Sequence, residues 1–142
     1  MAYPEPKPGL VIHYAYLWQA EAARGLEEGR KDRPCVVILA VQEREGEKIV
    51  TVAPITHSPP AADDHAVEMP PMVKQRLGLD DGRSWVVTTE LNRFSWPGPD
   101  LRPIPRRTPS AYAYGFVPGA LVEAVRRQIA ARRGVQLVPR ST

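Results

Sequence analysis

PCVVILAVQEREGEKIVTVAPIT, residues 34–56, decides the fold. Residues 34–42 form a near-continuous apolar run, and 49–56 form another rich in β-branched residues, so each predicts a strand. Between them EREGEK (43–48) is a charged turn containing Gly46. The two strands should therefore pair as an antiparallel hairpin. With the turn centred near Arg44–Gly46, facing residues have numbers that sum to about 89–91. Arg33, just before the first strand, then lies across from Thr56, His57 or Ser58. The prolines suit this layout. Pro34 stands at a strand start, where its missing N–H costs little, and Pro54 marks an edge or a bulge.

The hairpin thus delivers a guanidinium, two hydroxyls and an imidazole to one end of a sheet. Such a group can act on a phosphodiester. Arginine stabilises a pentacovalent phosphorane through charge-assisted hydrogen bonds, and a threonine hydroxyl can donate to a phosphate oxygen. His57 is a candidate proton shuttle near neutral pH. It can serve only if the strand has ended at Thr56, because neighbours in a strand point to opposite faces. A purely structural reading stands beside this one: Arg-Pro is a common strand edge, and a terminal threonine commonly caps a turn.

Outward from the hairpin, LVIHYAYLW (10–18) predicts a strand. Residues 20–31 predict a helical turn within a long loop, and HSPPAADDH (57–65) a loop. AVEM (66–69) predicts a short strand, and PPMVKQRLGL (70–79) one or two helical turns stopped by Gly78. SWVVTTELN (84–92) predicts one strand, and the proline-rich 93–111 mostly irregular chain. Residues 112–118 predict a short strand and turn. GALVEAVRRQIAARR (119–133) predicts a helix with Leu121, Val122, Val125 and Ile129 on one face. Early strands and one closing helix suit a mainly β, α+β domain: a small, strongly curved antiparallel sheet or barrel with helices outside. Residues 1–8 read as an arm, 9–134 as the domain and 135–142 as a tail. In that tail LVPR is similar to a protease-cleavage sequence often appended to expressed proteins.

The chain has 142 residues, room for one domain. No apolar run nears the ~20 residues that span a bilayer, and MAYPEPKPG lacks a signal peptide's apolar core, so a cytoplasmic protein is expected. The single cysteine, Cys35, sits in an apolar strand and reads as a core residue. Residues 1–90 carry 10 Lys+Arg against 14 Asp+Glu, whereas residues 91–142 carry 9 arginines against Asp100 and Glu123. That asymmetry fits a polyanionic partner. It fits equally a solvated helix face, since Arg126, Arg127, Arg132 and Arg133 share one helix. His13, His57 and His65 lack zinc-ligand spacing, so no metal is expected. Neither a glycine-rich phosphate loop nor a serine-hydrolase elbow is present, and no cofactor is expected.

Several ordered pieces of the sequence resemble the MazF/PemK family of bacterial toxins: Gly9 with LVIHYAYL, EEGRKDRPCVVILA, VTVAPITHS, AVEMP, WVVTTELNRFSW, and YGFVP before a helix. The resemblance spans about residues 9–130. It implies an SH3-like small antiparallel barrel, of the MazF/PemK/CcdB kind, with a C-terminal helix. It also implies a homodimer that cleaves single-stranded RNA, mRNA above all, without a metal. The products would be 2′,3′-cyclic phosphate and 5′-OH ends, and a cognate acidic antitoxin would neutralise the toxin. The family's catalytic arginine and threonine fall on Arg33 and Thr56, the two residues that the hairpin sum brings together. Its upstream glutamate falls on Glu28, a supporting candidate with His57 and Ser58.

Asn92, Arg93, Phe94 and Trp96, where a strand runs into the proline segment, are the expected RNA contacts, since aromatics beside arginine suit unstacked bases. Phe94 and Trp96 equally suit a cover for the barrel end, while Trp18 and Trp85 read as core or dimer interface. The chain departs from the family in its long loop 19–32, in Leu26 where a glycine is usual, and in its extended segment 97–109. These changes reshape the expected RNA channel. Two other functions use the same fold: a non-cleaving binder of a protein such as DNA gyrase, and a housekeeping RNA- or protein-binding module.

Overall fold

The computed structural model describes residues 3–25, 31–43, 45–132 and 134–140. In chain order these form β1 (Leu10–Tyr14), α1 (Gln19–Ala23), β2 (Arg33–Gln42), β3 (Lys48–Thr56), β4 (Ala66–Glu68) and α2 (Pro71–Leu77). There follow β5 (Trp85–Val87), β6 (Glu90–Ser95), β7 (Ala113–Phe116), α3 (Gly119–Ala131) and β8 (Gln136–Pro139). The class is α+β, a mostly antiparallel sheet with helices. Its main path runs β4–β5–β3–β2–β1–β7, open at both ends among the described residues, with β6 on β3 and β8 on β6.

The β2–β3 hairpin has the expected register. Cys35 faces Pro54, Val36 faces Ala53 and Val37 faces Val52; a bulge before Leu39 then shifts the pairing by one. Carried to the strand ends, the first register sets Arg33 across from Thr56. Strand alternation splits the apolar run between two cores. Val36 and Ile38 of β2, with Ala53 and Ile55 of β3, pack under α2 and α3 against Val73, Leu77, Leu121 and Val125. Cys35, Val37, Val50 and Val52 face the other way, onto Ile12, Tyr14, Tyr16 and Phe94. Cys35–Ile38 are buried on both faces and so need no polar alternation, whereas Leu39 and Val41 beyond the bulge are exposed although the apolar run continues through them. Arg33 prolongs the Cys35–Val37 row and Thr56 the Val50–Val52 row, so both belong to one face.

α2 begins at Pro71 and stops at Gly78, whose φ of 72° closes the helix in the left-handed conformation. The buried face of α3 is Leu121, Val122 and Val125, with Ile129 packed against the same core. Its arginines hold the helix down. Arg126 donates to the Ile38 carbonyl at 2.7 Å, and Arg132 donates to the Asp64 carbonyl. Arg133 lies outside the described residues.

The structure corrects three readings. The strand expected at 84–92 is two, β5 and β6, with Thr88 turned fully inward between them. Thr88 Oγ1 donates to Gln128 Oε1 at 2.7 Å. β6 pairs with β3 as far as Val52↔Asn92, and β5 resumes at Ile55↔Val86. The break falls opposite Pro54, which has no N–H to offer. The strand expected over 10–18 leaves the ladder after Tyr14, and the Asn92 side chain takes over as its partner. Asn92 Nδ2 donates to the Leu17 carbonyl at 2.8 Å, and the Leu17 N–H donates to Asn92 Oδ1 at 2.9 Å.

Third, the tail at 135–142 holds a strand. β8 runs parallel to β6, with Leu137 beside Leu91 and Val138 beside Asn92. Beyond it the Arg140 side chain is 1% exposed. Its Nη1 donates to the Ala15 carbonyl at 2.8 Å and to Asn92 Oδ1 at 3.0 Å. Its Nη2 is 3.0 Å from Asp100 Oδ2. Removing one member of a buried ion pair leaves the other charge uncompensated. Arg140→Ala should therefore lower stability by about 3–5 kcal/mol, read as a lower urea midpoint. A loss under about 1 kcal/mol, the value of a surface pair, would show that the C-terminal strand is dispensable.

Candidate active site

Arg33 opens β2 and Thr56 ends β3, and both are half-buried. Trp18, on the segment that follows β1, supports the arginine: the guanidinium carbon stands 4.9 Å from the centre of its ring. Nη1 reaches the Ile55 carbonyl only at 3.5 Å, the outer limit of a hydrogen bond. Nε is buried without a partner, and no carboxylate among the described residues pairs with this arginine. Its neighbour Asp32 instead approaches His13 Nε2, at 3.8 Å. Among the described residues the cation is thus oriented by an aromatic ring and has no carboxylate partner.

Thr56 is set by its own turn. The Ser58 N–H donates to Thr56 Oγ1 at 3.1 Å, the local bond typical of threonine at a strand exit. Because the oxygen accepts there, the hydroxyl proton is free to be donated elsewhere.

Arg33, Thr56 and Ser58 line two adjoining pockets and so form the ridge between them. The larger, about 460 Å³, is completed by Trp18, His65, Thr89 and the wall of residues 59–61. The smaller, about 320 Å³, is completed by Lys31, Asp32, His57, Asp80 and Ser84. His57 shares this second pocket but is clamped. Its Nδ1 donates to the Arg83 carbonyl at 2.9 Å, and its Nε2 lies 2.7 Å from Asp80 Oδ2. With both ring nitrogens engaged, neither is turned to the Thr56 hydroxyl. Asp80 Oδ1 accepts from the buried Lys74 ammonium at 2.8 Å, and Lys74 also donates to the Gly82 carbonyl. The Lys74 hydrogen bond, helped by the charges of His57 and Lys74, holds the Asp80 carboxyl below its usual range despite the opposing effect of desolvation.

Of the other candidates, Glu28 lies outside the described residues, and the four expected RNA contacts, Asn92, Arg93, Phe94 and Trp96, line neither pocket of the ridge; Phe94 is buried in the core. Asn92, expected as an RNA contact, is fully buried, and its amide serves the Leu17 backbone and Arg140. Arg93 is exposed but faces Thr51 across the ladder, about 17 Å along β3 from Thr56 at 3.4 Å per residue. It borders Glu43, Glu45 and Glu47. The backbone N–H of half-buried Trp96 donates to the Lys48 carbonyl, further still from Thr56, and its ring centre lies 6.0 Å from that of Phe94. Sequence reasoning missed Trp18, His65 and Thr89. The pairing of Tyr14 with Arg33 was the signal for Trp18, because it carries the chain after β1 past the arginine.

Cys35 is fully buried and its thiol is pushed up by burial, which suits a core residue and not a nucleophile. Among the described residues no three His, Cys, Asp or Glu side chains converge as a metal-binding group. Nor is any described helix long and apolar enough to cross a membrane. No family model, curated protein or solved structure matches the chain.

Asp80→Asn should destabilise the protein at neutral pH by loosening the Lys74–Asp80–His57 strut. Because the folded carboxyl is depressed, the difference from wild type should be full above the ordinary value of 3.8. It should fade as pH falls through the lower folded value. Urea midpoints of both proteins from pH 2 to 7 check this, and a pH-independent gap would assign the effect to packing alone.

Proposed function

We propose that the chain is a metal-independent endoribonuclease that cleaves single-stranded RNA to 2′,3′-cyclic phosphate and 5′-OH ends, a toxin of the MazF/PemK kind. One observation carries the reading: an arginine with no carboxylate partner among the described residues and a threonine whose hydroxyl oxygen accepts from its own turn, on one face of adjacent strands, share a solvent-open ridge.

The chemistry follows from those two groups. The ribose 2′-oxygen attacks the adjacent phosphorus, forming P–O2′ as P–O5′ breaks. The 2′-OH loses its proton and the departing 5′-oxygen gains one, so no water is consumed. Negative charge gathers on the non-bridging oxygens of the phosphorane. Arg33 meets that charge with guanidinium donors that have only weak partners in the free protein. It always carries its proton, so its role is electrostatic and not that of a base. Thr56 donates its hydroxyl proton to one of the same oxygens. The need for a 2′-OH confines cleavage to RNA.

The bend in the sheet supports the finer fold reading. β3 serves β2 along one side and hands its other side from β6 to β5, an arrangement suited to a small SH3-like barrel. With this reading come a homodimer, a cytoplasmic setting and an acidic antitoxin that covers the Arg33 ridge.

The test is cleavage of single-stranded RNA in EDTA. Wild type should cut, and a single 2′-deoxy substitution at the cut should block it. Arg33→Ala should slow cleavage by about 10²–10³-fold, the usual cost of removing one preorganised donor. Thr56→Ala should slow it about tenfold or more, equivalent to roughly 1.4 kcal/mol. An inert wild type, or cleavage that survives Arg33→Ala unchanged, overturns the assignment.

A further inference from the structure

We infer that Arg140, at the end of the C-terminal strand, is a positioning residue for Arg33: it fixes the segment from Ala15 to Trp18, and through the Trp18 ring it sets the guanidinium on the ridge. What Arg33 does there rests on the ribonuclease reading; how it is held does not.

The segment after β1 is where the site needs support. Trp18 carries the arginine, yet the pairing with β2 ends at Tyr14↔Arg33. Ala15, Tyr16 and Leu17 are buried, so their backbone groups need partners from within the protein. Three side chains supply them. Arg140 Nη1 donates to the Ala15 carbonyl at 2.8 Å. Asn92 bonds both backbone groups of Leu17, at 2.8 and 2.9 Å. Glu90 Oε1 accepts from the Tyr16 hydroxyl at 3.1 Å and from the Gln19 N–H at 2.9 Å. The backbone is thus tied down on each side of Trp18. The Trp18 ring centre lies 5.0 Å from that of Tyr16 and 4.9 Å from the Arg33 guanidinium carbon.

Arg140 joins these anchors. The same Nη1 donates to Asn92 Oδ1 at 3.0 Å, the oxygen that also accepts from the Leu17 N–H. One nitrogen therefore sets both the Ala15 carbonyl and the Asn92 amide. The guanidinium carbon of Arg140 stands 5.6 Å from the Tyr14 ring centre, and Tyr14 is the cross-strand partner of Arg33. Two short routes run from Arg140 to Arg33: one through Asn92, Leu17 and Trp18, the other through Tyr14. Arg140 lines neither pocket of the ridge and its side chain is 1% exposed, so it acts through other residues and not on a substrate. Arg33 is open to such influence because its bond to the Ile55 carbonyl, at 3.5 Å, is at the outer limit. A displacement of about 1 Å caused far from the chemistry can slow a reaction ~10²-fold.

Two measurements on the full chain test this. The first needs no activity. In proton–nitrogen correlation spectra the Arg33 Nε–H, assigned with Arg33→Lys, should carry a ring-current shift that Trp18→Leu removes. Arg140→Gln should move this resonance at least halfway to its position in Trp18→Leu. The second is a double-mutant cycle on single-turnover RNA cleavage. Arg140→Gln should slow cleavage about tenfold or more with Arg33 present, but less than about threefold in the Arg33→Ala background, because its effect passes through that guanidinium. A general loss of structure would slow both backgrounds alike. Urea midpoints define conditions in which each variant is folded. Arg140→Lys, which keeps the charge beside Asp100 but lacks the planar fork, takes the place of Arg140→Gln if that chain does not fold. A resonance that stays in place overturns the inference and spares the ribonuclease. So does wild-type cleavage that Arg140→Gln leaves unchanged, or slows equally with and without Arg33. A resonance that moves, in a protein whose wild type cleaves no RNA, keeps the positioning role and removes the nuclease.

Discussion

The pairing of β2 with β3 is the constraint from which the rest follows. Cys35 opposite Pro54 and Val37 opposite Val52 assign each side chain to one of two cores. The same alternation, continued past the apolar rows, leaves Arg33 and Thr56 on one face where the sheet meets solvent. A slip of one residue would exchange the faces of a whole strand. Either Cys35 or Val52, whichever strand slipped, would then be forced into the space under α2 and α3, and the arginine and the threonine would part. Core packing therefore guards the geometry of the site, and Ile55, whose side chain is in the core and whose carbonyl faces Arg33, joins the two.

Arginines show what position adds to residue type. Arg140 is buried with a carboxylate, a backbone carbonyl and a side-chain amide around it, and this satisfied cation locks the C-terminal strand onto β6. Arg126 and Arg132 are spent on backbone carbonyls that moor α3. Arg33 alone of these four is oriented by stacking on an aromatic ring while its Nε is left without a partner. A buried N–H without an acceptor costs about 1–3 kcal/mol, so such a group is poised to gain from an anion. The basic balance of the second part of the chain is therefore partly structural, and the cation at the ridge, Arg33, lies in the first, more acidic part.

The loops that frame the ridge are held by short polar links. His57 and Asp80 join the exit of β3 to the turn after α2, and buried Lys74 anchors that turn from below. Thr88 and Gln128 tie the break between β5 and β6 to α3. The His57–Asp80 link lines the smaller pocket, and the Thr88–Gln128 link lies outside both.

The sequence by itself determined the hairpin, its register, the stop of α2 at Gly78 and the buried face of α3. Each depends on residues close together in the chain: an alternating or continuous apolar run, a charged turn, a left-handed glycine. For the same reason it brought Arg33 and Thr56 together. Only the tertiary structure decided that Asn92 is an interior strut, that the Leu137–Arg140 segment belongs to the sheet and that Trp18 carries the guanidinium. It also decided that one strand would break into two opposite Pro54. These outcomes depend on partners 15 to 125 residues apart, whose encounters leave no local periodicity. A polar side chain reads alike in sequence whether it meets water or a backbone carbonyl, and only the packing around it settles which.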